Sequence, residues 1–154
     1  MAFMEKYTHG IDERNFVTKD LQACGNTADW TFQKSTGEKI EAGEKSWHKL
    51  REVYGPFSEH VHDPTFLLAW ETSEGWGMIG LANLWWKLAV GGDSTIKGHG
   101  GKEWDGVTPS AFKFAYRKEG KEIKLASTEI YSDPSAALVQ MLKRGMLKPE
   151  QLMG

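Results

Sequence analysis

Apolar residues recur at helical spacing over residues 11–24, through Ile11, Phe16 or Val17, Leu21 and Cys24. Asp12 and Glu13 suit the start of that predicted helix through the dipole, and Gly25-Asn26 ends it. Trp30-Thr31-Phe32 reads as a short strand, with Ser35–Glu38 as the turn behind it. A second helix is predicted over residues 44–54, with Trp47, Leu50 and Tyr54 on one stripe and Gly55-Pro56 as its end. From Ser58 the period changes to two. Even positions carry His60, His62, Phe66, Leu68 and Trp70, and after a turn at Thr72–Gly75 they carry Trp76, Met78, Ala82, Leu84 and Trp86. Gly77 and Gly80 are candidate bulge sites.

The glycine-rich stretch 91–106 reads as a flexible loop that can act as a lid. Alternation returns with Phe112, Phe114 and Tyr116. Beyond the turn at Lys118–Lys121, Ile123, Leu125, Ser127, Glu129 and Tyr131 are expected on one face. Asp133 as cap, Pro134 at the first helical position, the stripe Leu138, Met141 and Leu142, and Gly145 as stop mark a closing helix. The order is helix, strand, helix, four long antiparallel strands, helix. That is an α+β domain with helices on one side of a bent sheet.

At 154 residues the chain is expected to be one domain over 1–154, with 1–10 and 147–154 peripheral. The net charge of −2 argues against a nucleic-acid partner. No apolar run is long enough for a membrane span, and residues 1–10 show no secretory leader. The lone Cys24 is read as a packing residue and fits a reducing, cytoplasmic setting. Seven Trp residues are the compositional signal, and they build either a core or an aromatic pocket for an apolar ligand. Trp85 and Trp86 are adjacent, so on a strand one of them faces solvent or a second copy, and a homodimer is expected.

Several phrases carry a resemblance: Gly10–Arg14, Asp29–Phe32, His60–Pro64, Trp70–Thr72, Gly75–Gly80, Glu129–Pro134 and Arg144–Leu147. With them the chain resembles the NTF2-like superfamily, and more narrowly the SnoaL-like proteins of fungal natural-product pathways. The resemblance implies an α+β cone with helices packed on the concave side of a strongly curved sheet. It also implies a homodimer and a cofactor-free cyclase, isomerase or dehydratase acting on a polycyclic intermediate. A non-catalytic binding protein for a hydrophobic small molecule is the alternative.

Glu129 is the leading acid–base candidate, provided the strand keeps its register: on the concave face it would be desolvated and its pKa raised. His60 and His62 point the same way from one strand and can move protons. They could also hold a metal with His99 as third ligand, but no metal or other cofactor is expected. The resemblance implies that Asp12, as an acidic residue on the first helix, can face the pocket; the ordinary alternative is a helix-start carboxylate. Tyr131, Tyr116 and Tyr54 are candidate hydrogen-bond donors, with Tyr54 more at home in the core. Trp70, Trp76, Trp86, Trp104, Tyr116 and Phe114 are the expected substrate-binding aromatics.

Overall fold

The computed structural model describes residues 2–93 and 95–152, with residues 2–4 described by backbone alone. A helix, α1 (Ala2–Asp12), leads through a 3-10 turn at Asn15–Val17 into β1 (Asn26–Gln33) and the short β2 (Lys39–Ile40). Helix α2 (Glu44–Tyr54) follows, then β3 (Phe57–Glu71) and β4 (Gly75–Leu88). A two-stranded ribbon, β5 (Ile96–Lys97) with β6 (Glu103–Trp104), precedes β7 (Gly106–Glu119) and β8 (Glu122–Ser132). The chain then forms α3 (Ser135–Lys143) and a 3-10 turn at Pro149–Leu152. The main sheet has the order β2-β1-β8-β7-β4-β3. It is curved and open, with β1 parallel to β8 and the long strands antiparallel, which is the expected α+β cone.

The first helix spans Ala2–Asp12 where residues 11–24 are expected, a shift upstream of about three turns. Tyr7 and Ile11, four apart, put one stripe on the core, at 7% and 2% exposure. Arg14 then takes a left-handed conformation, φ 56°, and ends the run. Residues 18–25 form turns instead of helix, and Asp20 caps the Ala23 N–H at 2.8 Å. Asp12 therefore closes a helix, where the sequence pattern has it opening one. Tyr7, within the stretch expected to be peripheral, is buried against Phe114, with ring centroids 5.6 Å apart.

The core fills the concave side. Phe112, Phe114 and Tyr116 of β7 and Met78, Ala82 and Trp86 of β4 are buried, as their alternation predicts. Two bulges redirect the neighbouring strands. In β3 the pairing shifts between Pro64 and Phe66, and in β8 between Leu125 and Ser127. Each adds one residue and moves every later side chain to the other face. These two bulges thus lie at Thr65 and Ala126 and not at Gly77 or Gly80. Gly77 serves a different purpose: the Trp70 indole lies across it, where a Cβ would sit 2.3 Å from the ring.

Within 91–106 the described ribbon packs on the outer face of the sheet and not over its concave side. It covers Trp85 there, and a Cβ at Gly98 would stand 2.0 Å from the indole. Trp104 packs 6.4 Å from the same ring, centroid to centroid, and donates its N–H to the His99 carbonyl. Trp85 is therefore covered from within its own chain. The ribbon is tied to the body through Asp105, which pairs with Arg144 at 2.6 and 2.9 Å.

Candidate functional site

A cavity of about 240 Å³ lies between α1 and the concave sheet. Ile11, Leu67, Met78, Phe112, Phe114 and Ile130 give it apolar walls. One end is polar, and three elements build it. Asp12 comes from the last turn of α1, Tyr54 from the last turn of α2, and His62 from β3. A carboxylate at a helix C-terminus faces the negative end of the dipole, so its position needs compensation from elsewhere. His62 supplies it twice. Its backbone N–H reaches both Asp12 oxygens at 3.2 Å, and its Nδ1 lies 2.6 Å from Oδ1.

Asp12 as a carboxylate can only accept, so Nδ1 carries the proton of this contact. The lone pair of the neutral ring is then on Nε2, which lies 3.1 Å from the Tyr54 hydroxyl. Burial holds the Tyr54 phenol well above the ordinary tyrosine range, so it donates to Nε2 and stays protonated. The result is a carboxylate, an oriented imidazole and a phenol in line, with the imidazole and phenol at the cavity wall. At another wall Thr128 accepts the Trp30 indole N–H at 3.2 Å.

His60 shares the inward face of β3 with His62, as their spacing predicts, but stands behind it. It is 1% exposed and sits among Phe16, Tyr54 and Phe57. Burial, aided by His62, lowers its pKa to about 4, so the ring is neutral. Neither ring nitrogen makes a hydrogen bond of good geometry among the described residues, though the Ile11 carbonyl is close enough to favour the charged ring.

Glu129 and Tyr131 are elsewhere. The bulge in β8 turns Thr128 and Ile130 inward and puts Glu129 on the outer face, opposite Lys113. The Tyr131 hydroxyl at 2.5 Å and the Lys113 ammonium at 2.9 Å hold the Glu129 carboxyl below the usual glutamate range, despite partial desolvation. The expected raised pKa is thus reversed. Tyr131 itself is 48% exposed.

The aromatic expectations divide in the same way. Phe114 lines the cavity, and Tyr116 is buried beside it in the core. Trp86 stacks on Phe57 and donates its indole N–H to the Thr108 hydroxyl at 3.0 Å. Trp104 belongs to the ribbon, Trp76 packs against the core, and Trp70 is on the outer face. None of these four Trp residues lines the cavity. His99 is 3.6 Å from Asp63 at the surface, and the residue that joins His60 and His62 is Asp12. Tyr7, which also lines the cavity, escaped the sequence reading; its four-residue spacing from Ile11 was the available signal.

Fold and site together define an NTF2-like cone with an internal cavity and an Asp–His–Tyr constellation at one end of it. No family model and no curated protein sequence matches the chain. Solved structures do match in fold. A protein named as a scytalone dehydratase from Novosphingobium aromaticivorans superposes with a TM-score of 0.64 at 8% identity, over 86% of this chain and 80% of that one. One named as a SnoaL-like polyketide cyclase from Shewanella denitrificans gives 0.59 at 12% identity, over 92% and 96%. The hexachlorocyclohexane dehydrochlorinase LinA-type3 from Novosphingobium barchaimii gives 0.61 at 12%, over 85% and 82%. Among the described residues no helix is long and apolar enough to cross a membrane.

Proposed function

We propose that the chain is an acid–base enzyme that isomerises, cyclises or dehydrates a largely apolar, polycyclic small molecule held in the cavity. The observation that carries this reading is the in-line contact of Asp12, His62 and Tyr54 at the cavity's polar end. His62 Nε2 takes a proton from an acidic C–H of the substrate, exchanging the Tyr54 hydrogen bond for it. Asp12 keeps the ring in the tautomer that leaves Nε2 free and stabilises the imidazolium that forms. The same imidazolium returns the proton to another carbon, or to a departing hydroxyl as water. Tyr54 re-donates when the ring is neutral again. The names of the cyclase, dehydratase and dehydrochlorinase that share the fold fit proton-transfer chemistry of this kind.

The apolar walls favour an uncharged substrate, and among the described residues no Lys or Arg lines the cavity to bind an anion. Deuterium exchange at the acidic methylene of 2-tetralone, followed by NMR, tests the reading. Exchange above the buffer rate that falls by about 10²-fold or more in His62→Gln supports it. Exchange unaffected by that substitution leaves the cavity as a binding site for a hydrophobic ligand.

A second copy of the chain is the proposed partner, now through a different surface from the one the sequence suggested. Phe66, Leu68, Trp70, Ile79, Leu81 and Tyr131, each 38–53% exposed, stand on the open part of the outer face. Lys113 and Glu129 lie among them as a pair that a two-fold axis can exchange between copies. Light scattering of the parent at a dimer mass, and of Leu68→Asp at a monomer mass, is the expected outcome.

A further inference from the structure

The proton-transfer reading leaves one buried inner group, His60, unused. His60 is 1% exposed and has two ring nitrogens without a well-formed hydrogen bond. Buried polar groups are ordinarily paired, and a nonpolar side chain would fill the same space among Phe16, Tyr54 and Phe57. A buried imidazole in that place calls for a ligand.

The geometry points to a divalent d-block cation, such as zinc, held by Asp12, His60 and His62 at the inner end of the cavity. The two histidines are two apart on one strand and point to the same side, so their ring nitrogens converge on one place. Asp12 reaches that place from α1, and the three residues offer one donor atom each within 4.8 Å of one another. Zinc with nitrogen and oxygen ligands at about 2.0–2.2 Å sets donors about 3.3 Å apart in a tetrahedron. The donors, from 2.6 Å between Asp12 and His62 up to 4.8 Å across the cluster, bracket that spacing. The Ile11 carbonyl lies beside the His60 ring. A ligating histidine usually turns its second nitrogen to a carbonyl of this kind, which leaves the first free for the metal. Two imidazoles and one carboxylate suit zinc, cobalt or nickel better than calcium or magnesium, which prefer all-oxygen sites. The cavity adjoins the cluster through His62 and Asp12 and supplies room for a water or substrate oxygen as fourth ligand.

The inference rests partly on the proton-transfer reading for its consequence. A bound cation occupies Asp12 and His62, the pair that reading assigns to proton transfer, so zinc inhibits the reaction. The site itself needs no such premise.

The test uses the full chain freed of metal with EDTA, titrated calorimetrically with zinc chloride, and the cobalt(II) adduct read by visible absorption. One zinc per chain, a cobalt spectrum of tetrahedral intensity, and a loss of affinity of about 100-fold or more in both His60→Leu and Asp12→Asn are expected. Zinc binding in His60→Leu within threefold of the parent overturns the inference. So does binding that survives in both variants but is lost in His99→Ala, the surface histidine beside Asp63. Absence of zinc binding by the parent overturns it equally. Should either substitution fail to fold, the cobalt spectrum of the parent decides, because surface sites give the weak spectrum of an octahedral ion. The 2-tetralone exchange separates this inference from the functional reading. Metal-free protein that exchanges but binds no zinc removes the inference and keeps the reading. Protein that exchanges only with zinc bound removes the metal-free reading and keeps the site.

Discussion

Two carboxylates on opposite sides of one sheet show what makes an acidic side chain useful. Asp12 and Glu129 each make a hydrogen bond to a ring-bearing side chain, Asp12 with His62 at 2.6 Å and Glu129 with Tyr131 at 2.5 Å. The difference lies in what stands next in line. Beyond His62 there is a cavity, and the imidazole between carboxylate and cavity can pass a proton to or from what the cavity holds. Beside Glu129 there is Lys113, a fixed positive charge that satisfies the carboxylate where it stands. The outer pair is complete in itself. The inner pair is completed only by a proton or a ligand, and that incompleteness makes it a site.

The sharpest break of this comparison is catalytic. Asp12→Asn presents an amide to His62, which favours the tautomer protonated on Nε2 and removes the lone pair from the cavity. Exchange of 2-tetralone is expected to fall by about 10²–10⁴-fold in this variant. Glu129→Gln is expected to stay within about twofold of the parent in the same assay. Equal losses in the two variants would erase the distinction between the faces.

A smaller effect tests the inner face by stability. His60 is held neutral in the fold, its pKa lowered from 6.5 to about 4, and in the unfolded chain it protonates normally. The groups that face it are His62 and Arg14, which lower its pKa further, Asp12, which raises it, and the phenol of Tyr54. Between those two pKa values the unfolded state binds the extra proton. The stability is therefore fully present above pH 6.5, declines as pH falls toward 4, and levels off below. The loss is roughly 3 kcal/mol for the metal-free protein. Urea titrations at pH 7 and pH 4.5 are expected to show this decline in the parent and a shallower one in His60→Leu. Parallel declines in both proteins would mean that His60 is not the group that titrates.

What the sequence discloses divides along the same line. Helix α2 is legible to the residue, because its stripe of Trp47, Leu50 and Tyr54 is local and Gly55 ends it. The inward faces of β4 and β7 are legible because each strand keeps a single alternation through its length. His60 and His62 are legible as an inward pair for the same reason. Glu129 is not, because the bulge opposite Ala115 arises from how β8 pairs with β7 and leaves no mark in the alternation of β8 itself. Continuing the run Ile123, Leu125 by twos leads to Glu129, whereas the folded strand continues it by Thr128 and Ile130. Phe66, Leu68 and Trp70 are lost to the cavity by the equivalent shift in β3. Asp12 is legible as either a pocket-facing or a helix-start carboxylate, and the structure puts it at the end of α1 and not at a helix start. Its carboxylate finds His62 fifty positions away, a contact that only the tertiary fold creates.

The smallest expected effect belongs to the outer pair and sharpens the comparison most finely. The Glu129 carboxyl titrates below the usual glutamate value, held down by Tyr131 and Lys113. Its contribution is therefore present above pH 4.5 and is lost only as pH falls through the lowered value, outside most of the window in which His60 acts. Solvent reaches the pair, with Lys113 half exposed, so screening keeps the contribution under about 1 kcal/mol. Glu129→Gln should thus unfold in urea within that margin of the parent at every pH between 5 and 7. A loss well beyond it at low protein concentration would mean that water does not reach the carboxylate as it does in the isolated chain. A loss that grows with protein concentration would instead place Glu129 between two copies, where removing it exposes the Lys113 charge to a covered apolar face.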